Sequence, residues 1–143
     1  MKIAEFQGEY RFLSNFWLCN IRFGLSTWPS AEHLFQAMKT LDFAEQEMVL
    51  NAATPGKAKR FGQHVTARLD WEMIKIDIMY QIVLAKFSQN KRCKQDLLDT
   101  GDMELIEGNK WGDTFWGVCN GKGRNELGKI LMKVRDELKG EIK

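Results

Sequence analysis

The sequence is short of the residues from which cross-linked and metal-built scaffolds are made. Its three cysteines, Cys19, Cys93 and Cys119, are an odd number with no Cys-x-x-Cys pair, which argues against a disulfide framework or a zinc site. Its two histidines, His33 and His64, form neither a His-x-x-x-His nor a His-Glu-x-x-His spacing, and both read as structural. No stretch approaches the ~20 apolar residues that a membrane-spanning helix needs. The opening "MKIAEFQGEYRFLSNF" has neither the apolar core nor the small-residue cleavage site of a secretory signal. Charge of one sign is lacking too: 21 Lys plus Arg against 19 Asp plus Glu leave +2, too little for a general attraction to nucleic acid. Repeats, low-complexity tracts and Gly/Ser/Pro linkers are absent. Unpaired thiols suit a reducing compartment, so the expectation is a cytoplasmic protein without a membrane partner. With 44% apolar and 28% charged residues in 143, one globular domain over residues 1–143 is the simplest organisation.

What is present is mostly helix punctuation. "CNIRFGLSTWPS" predicts a small hairpin, since Ile21, Phe23 and Leu25 alternate with polar residues around Gly24 and Pro29 ends extension. Ser30 reads as the N-cap of a helix over "AEHLFQAMKTL", with Glu32 in its first turn. Asp42 with Glu45 resembles a capping box for a helix through about Leu50. Thr54-Pro55 starts another, with proline at the first helical position. The strongest helix runs from an N-cap at Asp70 to about Ser88, where Trp71, Ile74, Ile78, Met79, Ile82, Val83 and Phe87 recur at three- and four-residue spacing. A shorter helix over 91–99 ends at Thr100-Gly101-Asp102. A final one from about Asn125 carries Leu127, Ile130, Leu131, Val134 and Leu138 on one face. The fold class is therefore mainly α, a compact helical domain with a small β element near the N-terminus; α+β is the alternative.

Three groups of residues could carry chemistry. At about 100° per residue, Glu32, Gln36 and Lys39 fall on one side of the helix after Ser30, with Leu34, Met38 and Leu41 opposite. This predicts a polar stripe facing away from the core, either a plain solvated face or, with Phe35 and Trp28 beside it, the wall of a cleft. Over a rise of ~1.5 Å per residue, Glu32 and Lys39 stand roughly 10 Å apart along the axis, placed to bracket a ligand. The second group is "WGDTFWGVCNGKGRN", residues 111–125. Its Gly121-Lys122-Gly123 is no dinucleotide fingerprint, because Glu126 stands where a third glycine is needed, and no GxxxxGK[ST] occurs. Asp113 between Trp111, Phe115 and Trp116 is either an acid–base group tuned by burial or a turn-forming cap. The third group is Ser14 and Asn15 within "RFLSNFW", polar groups at the edge of buried aromatics, for a turn or for a ligand. Lys57, Lys59 and Lys86 read as solvated.

The motifs "FLSNFW", "WPSAEHLFQAMK", "ATPGKAKRFG", Trp71, "VLAKF", "LLDTGDMELIE", "DTFWG" and "GRNELGKILMKVR", in this order and spacing, make the chain resemble the NADAR family from about Phe12 to Leu138. The resemblance implies N-glycosidase chemistry on a ribose joined to the exocyclic amine of a heterocycle. Family substrates are phosphoribosylamino-pyrimidine intermediates of riboflavin biosynthesis in some members and ADP-ribosylated guanine in others. It implies catalytic roles for Glu32, Lys39 and Asp113, and substrate contacts from Ser14, Asn15, Trp28, Gln36, Trp71, Trp116, Gly117 and Asn125. No metal or organic cofactor is implied. Partners would be a phosphorylated ribosylamine or an ADP-ribosylated small molecule. Modified DNA is the alternative substrate, for which Lys57, Lys59, Arg60, Lys91, Arg92 and Lys94 could form a basic rim. A non-catalytic ADP-ribose or NAD-binding module is the reading from another class. "WGVCNGKGRN" departs from the family pattern at Val118-Cys119, where a Gly/Asp-rich turn is usual, which bears on substrate choice more than on the reaction.

Overall fold

The computed structural model describes residues 1–141. In chain order they form strand β1 (Lys2–Ile3), a 3-10 helix (Gly8–Leu13), strands β2 (Leu18–Phe23) and β3 (Ser26–Ser30), and helices α1 (Ala31–Ala37), α2 (Phe43–Leu50), α3 (Pro55–Gly62), α4 (Trp71–Gln89) and α5 (Lys91–Asp99). Strands β4 (Glu104–Leu105), β5 (Gly108–Asn109) and β6 (Val118–Cys119) then precede helix α6 (Glu126–Gly140). The mainly helical class is as the sequence predicts, and beside the expected hairpin near the N-terminus stand two further two-stranded sheets, β1–β4 and β5–β6, that were not expected. The chain divides into two compact units, Asn15–Gln89 and a second made of Met1–Ser14 with the segment from Asn90 onward.

In the Asn15–Gln89 unit the expected hairpin forms, β2 antiparallel to β3 with Ile21 opposite Trp28 and a register shift between Leu18 and Ile21, but extension runs through Pro29 to Ser30 instead of ending at the proline. The caps are real. Ser30 Oγ accepts the His33 N–H at 3.1 Å, Asp42 Oδ1 that of Glu45 at 3.0 Å, and Thr54 Oγ1 that of Lys57 at 3.1 Å. Each satisfies one of the donors that a helix start leaves open. The Asp42–Glu45 box is only half closed, because the Glu45 carboxylate turns to Thr40 Oγ1 and to the Thr66 N–H instead. Asp70 occupies the N-cap position of α4 through its carbonyl, which accepts from Met73 and Ile74. Its side chain pairs with Arg68 at 2.6 Å.

Helix α1 departs from expectation in two ways. It stops at Ala37, after which i to i+3 bonds from Lys39 to Gln36 and from Thr40 to Ala37 tighten the chain. It is also buried on every side, Glu32 and Gln36 included. The predicted outward-facing stripe is therefore enclosed, because α2, α3, α4 and β3 all pack on this seven-residue helix. Gly62 makes one of those contacts possible: a Cβ there would run into the Gln36 side chain. Lys86, read from sequence as solvated, is 0% exposed on the inner face of α4 beside Met79, Ile82, Val83 and Phe87.

In the second unit α6 buries the five apolar residues expected of it, contributing about 1.5–3 kcal/mol of transfer free energy for each side chain. It packs against β4 and α5, and α5 packs in turn against the 3-10 helix. Buried Arg135 donates to Thr100 Oγ1 at 2.9 Å and to the Met103 carbonyl at 2.8 Å, tying α6 to the turn that ends α5. The parallel pairs β1–β4 and β5–β6 are two residues long each, too short to leave an alternating pattern in the sequence.

Candidate active site

The polar stripe of α1 is the most organised cluster of reactive side chains in the Asn15–Gln89 unit. Glu32, 7% exposed, receives the Gln36 amide on Oε2 at 2.5 Å, an i to i+4 pair along the helix. Its backbone N–H is held by the Asn15 carbonyl at 3.0 Å. Asn15 is buried as well, and its amide Nδ2 lies 3.5 Å from Met79 Sδ on α4. Gln36 Oε1, against Gly62, is a buried acceptor without a hydrogen-bond partner. A buried polar atom left in this state marks strain or a place for a ligand's donor.

Lys39 follows at the end of the same helix. Its carbonyl is fixed by the Arg68 N–H at 2.7 Å, and its Nζ lies 5.9 Å from the centre of the Phe35 ring. Burial pulls its ammonium below the ordinary lysine value; the attraction of Glu32 opposes this, and repulsion from Lys59 and Lys75 adds to it. Partial desolvation among other cations is the environment that lets a lysine act as a nucleophile near neutral pH. Trp71 packs on Phe35 with ring centroids 5.1 Å apart, backing the stripe with α4. Trp28 is buried and its indole N–H is spent on the Phe23 carbonyl at 3.3 Å, inside the hairpin.

The other predicted residues belong to the second unit. Ser14 closes the 3-10 helix, donating its N–H to the Arg11 carbonyl at 2.9 Å. Asp113 Oδ1 accepts the N–H groups of Phe115 and Trp116 at 3.1 and 2.9 Å, the turn-forming role that competed with catalysis in the sequence. Trp116 stands edge-on to Phe115, which Arg124 covers at 4.6 Å. Gly117 lies where a Cβ would strike the Glu107 carbonyl. Asn125 adopts a left-handed conformation with φ of 54°. Its amide is engaged at both ends, Oδ1 accepting from Glu107 N at 3.0 Å and Nδ2 donating to the Leu105 carbonyl at 2.9 Å.

Two structural features were missed in the sequence. Asn109 pins the Asp113 loop, accepting its N–H at 3.0 Å and donating to its carbonyl at 2.8 Å. Its clue was an asparagine four residues before an aspartate in a Gly-rich stretch, a weak one. Lys86 is the other, and its clue was stronger: it falls among the apolar positions of α4. His33 has both ring nitrogens engaged, at Ser30 Oγ and the Ala52 carbonyl, and is structural as expected. Among the described residues no three His, Cys, Asp or Glu side chains gather as metal ligands would, and no helix is long and apolar enough to cross a membrane.

A family model, the NADAR domain, matches residues 4–139. The chain belongs to the NADAR domain family. Within the family it is 45% identical over 133 residues to a riboflavin biosynthesis protein of Vibrio vulnificus, covering 91% of this chain but 36% of that protein. The chain thus spans about a third of that relative. It is 36% identical over 133 residues to N-glycosidase YbiA of Escherichia coli K12, covering 91% of this chain and 82% of YbiA. To an N-glycosidase of Nostoc punctiforme it is 39% identical over 136 residues, 91% of this chain and 86% of that one. The solution NMR structure of E. coli YbiA matches with a TM-score of 0.88 at 34% identity, over 99% of this chain and 86% of that one. The Escherichia coli and Nostoc relatives are thus named as N-glycosidases, hydrolases of N-glycosyl bonds.

Proposed function

We propose that this NADAR domain is an N-glycosidase that hydrolyses the bond between C1 of a phosphorylated ribose and the exocyclic amine of a heterocycle, as in the phosphoribosylamino-pyrimidine intermediates of riboflavin biosynthesis. The observation that carries it is the pairing on one short helix of a buried, oriented carboxylate, Glu32, with a desolvated lysine, Lys39. The names of its N-glycosidase and riboflavin-biosynthesis relatives point the same way.

In the proposed reaction the ribosylamine opens to an imine at C1, the ring oxygen taking a proton. Neutral Lys39 adds to C1; the heterocyclic amine leaves with a proton that the Glu32 carboxylate takes from the Lys39 nitrogen and passes on, and C1 stays joined to Lys39 as a Schiff base. Water then adds to C1, one of its protons passing through Glu32 to the Lys39 nitrogen. Collapse frees the aldehyde of ribose phosphate and restores Lys39. One water is consumed and one C–N bond is cut. We give the proton transfers to Glu32 rather than Asp113, because Asp113 Oδ1 already binds two backbone N–H groups. Trp71, packed on Phe35 beside the stripe, would cover one face of the heterocycle, excluding water and strengthening each polar contact.

The small-molecule substrate is preferred to ADP-ribosylated guanine in DNA. Of the basic groups that could form a rim, Arg92 is paired with Asp96 at 3.3 Å and Lys94 with Glu141 at 3.8 Å. The test offers the purified protein both substrates and follows free amine by chromatography. Release from the pyrimidine alone supports the proposal, release from the oligonucleotide alone replaces the substrate, and binding without release by either leaves a reader module. Borohydride added during turnover should leave a ribose phosphate adduct on Lys39; turnover without an adduct would leave direct hydrolysis by Glu32-activated water.

A further inference from the structure

Lys86 takes no part in the reaction above, yet it is 0% exposed. A solitary ammonium in a protein interior costs several kcal/mol unless a counter-charge and hydrogen bonds meet it. Its contact with the Phe87 ring, 5.0 Å from Nζ to the centroid, can offset only about 1–2 kcal/mol of that. Two buried side-chain atoms among the described residues lack a hydrogen-bond partner, Gln36 Oε1 and Arg135 Nε. Neither belongs to Lys86, so its ammonium has a partner.

The acidic residues of the Asn15–Gln89 unit are Glu32, Asp42, Glu45, Glu47, Asp70, Glu72 and Asp77. Asp42, Glu47, Glu72 and Asp77 are exposed, Glu45 is taken up by Thr40 and Thr66, and Asp70 pairs with Arg68. Glu32 remains, the buried carboxylate of the set. Helix α4 also packs along α1. Trp71 of α4 meets Phe35, and Met79, two turns further on, meets Asn15, whose carbonyl holds the Glu32 N–H. Helix α4 therefore runs past α1 from its Phe35 turn toward its Glu32 end. Side chains lean toward the N-terminus of their own helix. By that rule Lys86 leans back toward the Met79 turn and Glu32 off the start of α1.

We propose that Lys86 is a positioning residue of the site, its ammonium the counter-charge of the Glu32 carboxylate, so that Lys86 and Gln36 between them fix where Glu32 meets the substrate. The role rests on the N-glycosidase reading, but the pairing beneath it does not. The pairing is tested first by thermal unfolding of K86M, E32Q and the double variant. Each single change strands a buried partner and should lower Tm, whereas the double variant should recover at least half of the K86M loss. Simple additivity would overturn the pairing. A second measurement does not depend on K86M folding: the side-chain ammonium resonance of Lys86 in a nitrogen-15 labelled sample should be protected from exchange and move in E32Q but not in E45Q. A resonance indifferent to E32Q would likewise overturn the pairing. For the role, K86M should lower kcat by about 100-fold with KM changed less than about threefold, and K86R should restore part of it. A variant with wild-type kcat would overturn the role while leaving the pairing intact, and absence of turnover in the wild type would strike the N-glycosidase reading alone.

Discussion

The α1 stripe and the loop from Asn109 to Asn125 are built from the same materials, carboxylates and amides set among aromatics, and they use them in opposite ways. In the loop, side chains are spent on backbone: Asp113 on two N–H groups, Asn109 on both polar groups of Asp113, and Asn125 on Leu105 and Glu107. In α1 the backbone is already satisfied by helix geometry, so Glu32, Gln36 and Lys39 are held by one another and by packing. Side chains that are not needed to fold the chain are the ones left to do chemistry. An irregular loop must recruit its polar groups to replace missing ladder bonds, whereas a helix need not.

The largest expected effect is at Glu32. E32Q keeps the shape and the Gln36 contact but removes the proposed proton carrier, and should lower kcat by about 10²–10⁴-fold in the amine-release assay while substrate binding by calorimetry persists. Next is Gly62. G62A puts a methyl group where the Gln36 amide lies, and overpacking of this kind should cost about 1–3 kcal/mol, read by urea unfolding, with kcat falling as Glu32 loses its support. A smaller effect separates the two regions directly. D113A removes an acceptor shared by two backbone N–H groups and should cost about 1–2 kcal/mol. D113N retains an acceptor oxygen and should keep most of the stability and of kcat. A large loss of kcat in well-folded D113N would mean that the loop carboxylate is chemical after all and would erase the contrast.

The smallest effect is the pH dependence contributed by Lys39. Its folded value lies below its ordinary one because of burial. Between those two values the unfolded chain binds the extra proton, so stability rises with pH across that window, and below it the full desolvation penalty is felt. K39M should flatten that part of the Tm against pH profile. In the proposed reaction the neutral amine is the nucleophile, so kcat should rise with pH through the lowered value, and K39R should lose that limb.

Much of this was legible in the residue order. Ser30, Asp42 and Thr54 announced helix starts because a cap needs only its own side chain and an N–H three residues on. The faces of α4 and α6 were legible because burial repeats at helical period. The 3-10 helix and the two-residue strands left no such pattern. The stripe of α1 was correctly placed on one face of the helix, but its burial was misread: seven residues carry no information about how many neighbours will surround them.

What the sequence determined by itself is the set of local decisions: where helices begin, which faces are apolar, which family motifs are present. Those depend on interactions between residues a few positions apart. Only tertiary packing decided that Glu32 and Gln36 would be dry, that the Lys39 ammonium would be destabilised, and that Lys86 would lie wholly inside. The state of a charged group is set by how much water and which charges surround it, and α2, α3 and α4, which enclose the α1 stripe, come from parts of the chain well beyond the motif itself.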